Sequence, residues 1–284
     1  MSDARPEENP DDHLIAHDVD VEPTEPNRRM FTGWRLIFIT AFAAIYAALH
    51  MAALNGLSIS ALTGVTLPLL PQFPMETWNF RIVHVAGALV LGFLLFNAFL
   101  YRDTPQRETP LTGRISLLLL IPAVLSLAAA IWFAILIQGG ALWNGIDPTV
   151  RFREVWLFGL PLLLATAGGI ALSWIDHSPR DRFGAPDLVL SVCAISVAAY
   201  LVTVFGTPMR MSTGSDFAPI GISFAATAGA ALIMELTRRM AGMALVVIAG
   251  VFLSYVFLGD LMPGFLNAPP FSWQRFFSQV YTDA

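Results

Sequence analysis

Long uninterrupted apolar runs alternate along this chain with short polar connections. The runs carry neither the two-residue alternation of a half-buried strand nor the narrow apolar stripe of a surface helix. Seven of them, residues 32–54, 79–100, 115–138, 155–175, 186–205, 218–236 and 241–259, are about as long as a crossing of the hydrocarbon core requires. Backbone N–H and C=O groups in lipid must be satisfied within their own segment, so each run is expected to be a helix. The predicted fold is all-α, a polytopic integral membrane helical bundle of about seven transmembrane helices. The last two are joined by the very short turn "LTRRMAG". Between the first two, "GLSISALTGVTLPLLPQFPMETW" is only moderately apolar and carries prolines at 68, 71 and 74, which reads as an interfacial or re-entrant connection.

The polar positions orient the bundle. With the N-terminus cytoplasmic, one side collects Arg28, Arg29, Arg102, Arg107, Arg114, Arg180, Arg182, Arg238 and Arg239, and the other collects Arg81, Arg151, Arg153, Arg210 and Arg275. That asymmetry favours the N-inside arrangement, and seven crossings then deliver the C-terminus to the periplasmic face. Trp34, Trp78, Trp132, Trp143, Trp156, Trp174 and Trp273 all fall near an expected span end, where an amphipathic ring suits the headgroup region.

Composition adds a boundary condition. At 56% hydrophobic and 13% charged residues, the chain has more apolar surface than one water-surrounded core would bury. The net charge of -5 is no clue to partners, because residues 1–25 alone hold nine acidic side chains and the remainder is mildly basic. Three regions follow: an acidic cytoplasmic tail at 1–31 that reads as disordered, a helical bundle at 32–259, and a periplasmic or interfacial connection at 260–284. The opening segment lacks the basic and apolar regions of a cleavable signal peptide. His13 and His17 have metal-compatible spacing, but a Pro-rich arm is a poor place for a fixed site. The single Cys193 lies in an apolar run and reads as a small buried hydrophobe.

The expected spans are free of Asp, Glu and Arg through their middles, so no proton relay, voltage sensor or charged-substrate path is expected in this chain. Arg35, Asp176 and Glu235 lie near span ends, where their expected role is anchoring. No phosphate-binding loop, Ser-His-Asp order or zinc spacing is present, so no enzymatic activity, no catalytic residue, no metal and no nucleic-acid partner is expected. His50 and His84 approach the same depth from the same side on the first two spans, and two such imidazoles are how a b-type haem is held. A haem- or quinone-binding protein is therefore the alternative reading. A third is a membrane anchor whose acidic arm recruits a cytoplasmic partner. Small residues four apart, Ala165/Gly169/Ser173, Gly221/Ala225/Gly229 and Gly250/Ser254, let helices approach closely and read mainly as internal packing.

The chain closes with "FLNAPPFSWQRFFSQVYTDA". After Pro269 and Pro270, Ser272 is a good N-cap, and Trp273, Phe276, Phe277, Val280 and Tyr281 recur on one helical face. That face is expected to find no partner within the chain.

The stretch from 234, "MELTRRMAGMALVVIAGVFLSYVFLGDLMPGFLNAPPFSWQRFFSQVYTDA", resembles the middle of the fused permeases of tripartite ATP-independent periplasmic (TRAP) transporters of the TAXI-associated type. Arg81 and His84 opening the second span, and Arg210 and Asp216 in "RMSTGSD", add to the likeness. The resemblance implies a bacterial inner-membrane protein working with a periplasmic solute-binding receptor and a large permease half in ion-gradient-driven uptake of an organic acid or related solute. It also implies that these N-terminal helices are a small-permease-like scaffold. The sodium or proton coupling ion and the substrate then bind in the large transport half, which this chain would stop short of. On that reading Arg238 and Arg239 sit on a cytoplasmic turn, fixing topology and meeting anionic membrane lipid, and Trp273, Phe276 and Phe277 contact the large half.

Overall fold

A computed structural model describes residues 27–54, 77–101, 110–205, 219–269, 271–273 and 275–277. The acidic tail with His13 and His17, the 55–76 connection, Arg102, Arg107, Arg210, Asp216, Val280 and Tyr281 lie outside the described residues. Among those described, helices account for the regular structure and no strand forms. One isolated antiparallel bridge joins Arg28 to Phe96.

The helices are α1 (Trp34–Leu54), α2 (Thr77–Leu95), α3 (Pro110–Gln138), α4 (Pro148–Arg153), α5 (Leu160–Ser173), α6 (Ala185–Phe205), α7 (Ile220–Ala241) and α8 (Met243–Leu258), with a single wide turn, Glu154–Gly159, running α4 into α5. Six helical stretches are long and apolar enough to cross a membrane, and a shorter apolar helix spans Asn79–Leu95. The chain is an all-α polytopic membrane bundle, and its apolar helices match the seven expected runs one for one.

The boundaries differ in instructive places. The fourth span begins near 148, not 155: Asp147 caps it by accepting from the Thr149 N–H at 2.7 Å, and Pro148 supplies a preset φ at the first helical position. The helix continues through a π turn, in which the Leu160 N–H reaches back to the Val155 carbonyl. Pro161 explains the widening, since it has no N–H to donate and its ring crowds the carbonyl four residues before it. The sixth span runs on to Ala241, so Arg238 and Arg239 occupy the last turn of α7 rather than the connection after it. That connection is Gly242 alone. Its φ of +88° is open to glycine, and its N–H still bonds the Arg238 carbonyl at 3.1 Å.

Helix α6 is the axis of the bundle, packed against α2, α3, α5 and α7. Phe93, Phe133, Phe158, Leu162, Leu190 and Ile222 fill the contacts and are fully enclosed. Glycines set how close the helices come. A Cβ on Gly169 would reach 2.9 Å from Leu190 Cδ2, and one on Gly168 would reach 2.6 Å from Leu119 Cδ1. At mid-depth Ser126 and Ser196 face each other across the α3–α6 contact at 2.9 Å, a polar tie inside an apolar interface. Cys193 is buried, as expected. The Ala165/Gly169/Ser173 and Gly221/Ala225/Gly229 stripes are buried as well, while Gly250 and Ser254 are not. Helices α1 and α8 stand apart. Almost none of α1 and no residue of α8 is buried, so two apolar cylinders flank a close-packed core.

Candidate functional site

The helix connectivity brings the start of α1, the end of α2, the end of α5, the start of α6 and the α7–α8 turn to one end of the bundle. There the chain buries a charged cluster. Asp187, in the first turn of α6, accepts from Arg29 Nη2 at 2.6 Å through one oxygen and from Arg239 Nη1 at 2.7 Å through the other. Glu235 accepts from Arg239 Nε at 2.8 Å and from Arg238 Nε at 2.8 Å. The Trp174 indole N–H adds a bond to Glu235 at 3.0 Å, and the Arg238 guanidinium lies over that indole ring, 5.2 Å from its centroid. The side chains of Arg29 and Arg239 are fully buried.

Both guanidinium groups also donate to helix ends, although Arg29 Nε and Arg239 Nη2 are buried without a hydrogen-bond partner among the described residues. Arg29 Nη1 donates to the Phe93 carbonyl at 3.1 Å, and Arg239 Nη1 donates to the Phe96 carbonyl at 3.0 Å, which serves orphan acceptors at the C-terminus of α2. Arg29 Nη2 also reaches Asn97 and Ser178, and Asn27 donates to the Arg239 carbonyl at 2.6 Å. The segment Asn27–Phe31 is thereby strapped across three helix ends before α1 begins. A Cβ on Gly184 would come within 2.9 Å of Arg29 Nη2, so the bare glycine makes room for the pair. Next to the cluster, burial pushes the Tyr101 phenol up, while nearby Arg29 and Arg180 pull it the other way.

These contacts alter the expected roles of the charged residues. Glu235 is a buried partner of two arginines rather than an interfacial anchor, because α7 extends beyond it and turns it inward. Arg239 points into the protein, its charge facing Asp187 and Glu235. Arg238 keeps 16% of its side-chain surface exposed.

At the opposite end a second polar group is enclosed. Glu154 opens the π turn and is fully buried, which corrects the expectation of spans free of acidic residues through their middles: the helix starts about two turns earlier than the apolar run does. One carboxyl oxygen accepts from the Trp143 indole N–H at 2.7 Å and from the Tyr200 hydroxyl at 2.5 Å. The other accepts from the Gly221 N–H at 3.1 Å. No side chain of α7 itself caps its N-terminus, so Glu154 supplies an acceptor there from a different helix. Among the described residues the carboxyl group meets neutral donors and no cation. It ties the 139–147 loop, the π turn, α6 and α7 together. Trp143, expected among headgroups, is 3% exposed because its N–H is committed to this carboxyl. Gly221 is required by the same arrangement, since any Cβ would collide with the Tyr200 ring.

His50 and His84 meet, as their shared depth suggested. His84 Nδ1 and His50 Nε2 are 3.0 Å apart, and the Tyr46 hydroxyl lies 2.9 Å from the same His84 nitrogen. A haem iron bound by both rings needs its two nitrogens on opposite sides, about 4 Å apart for metal–nitrogen bonds of about 2 Å. The pair as placed does not fit a haem. Nor do three or more His, Cys, Asp or Glu side chains gather into a metal-sized group among the described residues.

The aromatic residues after Ser272 do find partners in the chain, which corrects the expectation of an unpartnered face. Trp273 Nε1 donates to Thr227 Oγ1 at 3.0 Å and its ring meets Phe224 edge-on, while Phe276 and Phe277 pack on Phe257 of α8. Phe277 is buried, whereas Phe271 and Phe265 remain exposed. The hydroxyl and the ring that receive Trp273 lie on α7, far off in sequence, so no local pattern announced them.

Sequence reasoning did not single out Asn27, Asn97, Ser178, Asp187 or Tyr200. A usable signal existed for Glu154 alone, in the Asp147-Pro148 helix start. Comparison with known proteins adds no relative: no protein-family model, no curated protein and no solved structure matches the chain.

Proposed function

We propose that this chain is a membrane scaffold of a TRAP-type secondary transporter permease, the helical platform on which a separate or following transport half is mounted. The observation that carries the reading is the division of labour among the helices. A close-packed core around α6 is pinned by buried polar clusters at both ends, while α1 and α8 present apolar surface nearly all round. A moving transport element needs a partner that does not move, and a bundle locked at both ends suits that role. Among the described residues, the carboxylates of Asp187, Glu235 and Glu154 are buried and engaged within the chain. Asp187 and Glu235 hold arginines and Glu154 holds an indole, a phenol and a backbone N–H, which leaves substrate and coupling-ion binding to the large half.

Three features support this reading over a bare membrane anchor: the sequence likeness of residues 234–284 to fused TRAP permeases, the exposed apolar length of α8, and the aromatic cluster that Trp273, Phe276 and Phe277 build between α7 and α8. In this reading a periplasmic receptor delivers an organic acid or related solute, a sodium or proton gradient drives uptake in the bacterial inner membrane, and Arg238, the more exposed of the two α7 arginines, is the one placed to meet anionic lipid. Reconstituted vesicles test it. Residues 1–284 alone, supplied with receptor and ion gradient, are expected to accumulate no solute, and co-reconstitution with a cognate large half restores uptake. Uptake by the chain alone would overturn the scaffold assignment.

A further inference from the structure

The contact between α1 and α2 is built around a cluster that neither the core packing nor the scaffold reading uses. Tyr46 and His50, one turn apart, form one face of α1, and Phe80, His84 and Gly87 form the facing stripe of α2. Gly87 leaves a backbone notch into which the Tyr46 ring fits, since a Cβ there would overlap that ring. Phe80 lies edge-on to His50 with centroids 5.1 Å apart. The notch and the ring fix three donor atoms side by side: His50 Nε2, His84 Nδ1 and Tyr46 Oη.

Proton positions follow from the partners. Among the described residues His50 Nδ1 faces the Tyr46 carbonyl, 2.7 Å away, so it carries the hydrogen and leaves Nε2 with a lone pair. His84 Nδ1 then donates to that lone pair, and the Tyr46 hydroxyl donates to the His84 carbonyl at 2.8 Å. Moving one hydrogen from Nδ1 to Nε2 of His84, a change of neutral tautomer, gives both facing nitrogens a lone pair, which a bound ion takes up from beside the line between them.

We propose that His50, His84 and Tyr46 form a binding site for a borderline divalent transition ion of the zinc, nickel or copper class, held in cis by the two imidazoles and closed by the phenol. The spacing that excludes haem suits this geometry. With metal–nitrogen bonds of about 2.0–2.1 Å and a ligand–metal–ligand angle between square-planar and tetrahedral, cis nitrogens stand about 2.8–3.4 Å apart. The observed 3.0 Å falls inside that range. The two imidazoles are ligands of the type these ions prefer, whereas calcium and magnesium favour carboxylate and carbonyl oxygen. The Tyr46 carbonyl on His50 Nδ1–H orients that ring from behind, as in established imidazole sites. His84 is exposed and the other two are half-buried, so an ion can enter. Coordination by the two imidazoles releases no net proton, and binding of Tyr46 as phenolate releases one to solvent. A bound ion clamps α1, which otherwise packs little, onto α2.

The test uses the full chain without a histidine tag, with His13→Ala and His17→Ala installed so that the N-terminal segment contributes no imidazole. After chelator treatment in detergent, titration with Zn2+ is expected to saturate at one ion per chain. His50→Ala and His84→Ala each weaken binding at least about tenfold, while His177→Ala, which removes the imidazole stacked on Phe99 at the other end of the bundle, leaves it unchanged. Cu2+ gives a readout on the chain with both imidazoles intact: its electron paramagnetic resonance spectrum is expected to carry nitrogen coupling from two imidazoles, and its visible absorption a phenolate charge-transfer band, which Tyr46→Phe removes. No saturable binding, binding unchanged in both His50→Ala and His84→Ala, or a Cu2+ spectrum without imidazole nitrogen would each overturn the assignment.

Discussion

Asp187→Ala is expected to destabilise the detergent-solubilised chain by roughly 3–5 kcal/mol, the cost of leaving buried cationic partners without their anion. Two guanidinium groups, those of Arg29 and Arg239, are fully buried and share this one carboxylate. Removing it leaves Arg29 without its anion and Arg239 with Glu235 alone, and neither can turn to water without unpacking the strap formed by Asn27–Phe31. The comparison variants fix the interpretation. Asp181→Ala breaks only an exposed contact with Arg35 at 3.8 Å and is expected to cost less than about 1 kcal/mol. Arg29→Leu combined with Asp187→Leu removes charge from both sides and is expected to be milder than Asp187→Ala alone, because no unpaired ion remains between those two positions. Thermal melting followed by circular dichroism in one detergent ranks the three. A loss for Asp187→Ala no larger than that for Asp181→Ala would show that the cluster is not closed as described.

The second large effect is at Glu154. Glu154→Leu fills the space with a side chain of similar size but leaves the Trp143 indole, the Tyr200 hydroxyl and the Gly221 N–H without their acceptor. Each orphaned buried donor costs about 1–3 kcal/mol, so a loss on the order of 3–5 kcal/mol is expected after partial relaxation. Glu154→Gln is expected to fall between, since an amide oxygen still serves the indole and the phenol while its NH2 group opposes the Gly221 N–H. Melting followed by circular dichroism, compared with fluorescence of a chain in which Trp143 is the one tryptophan kept, distinguishes loss of the site from global unfolding. Glu154→Leu at wild-type stability would mean that the buried carboxyl group is not holding the N-terminus of α7.

These two clusters also mark the limit of what the chain's pattern reveals. The helices were legible because hydrocarbon thickness and backbone satisfaction admit one solution for a long apolar run. The ends of the runs were less legible, because polar residues belong to a helix whenever a partner accepts them inside. Glu154 shows this: hydropathy starts the span at 155, whereas the Asp147 cap and Pro148 start it at 148. Had the cap set the boundary, an acidic residue inside the span would have stood out. The arginine-rich end was legible as a charge asymmetry but not as an ion cluster. Asn27 and Arg239 are 212 positions apart, and their meeting depends on how five chain segments converge at one end. The histidine pair lay between these cases. Counting residues from the span ends predicted a common depth, but the 3.0 Å contact depends on the notch at Gly87 and on the Tyr46 ring that fills it.

The account rests on the helices crossing the membrane in alternation, so that the arginine cluster and the Glu154 site lie on opposite sides. Single cysteines at Arg182 and Leu142, placed in a Cys193→Ala background, test that most directly with a membrane-impermeant maleimide. Position 142, exposed in the loop before α4, is expected to react in intact cells, and position 182, between α5 and α6, only after permeabilisation. Reaction of both positions from the same side would contradict the crossing pattern from which the rest follows.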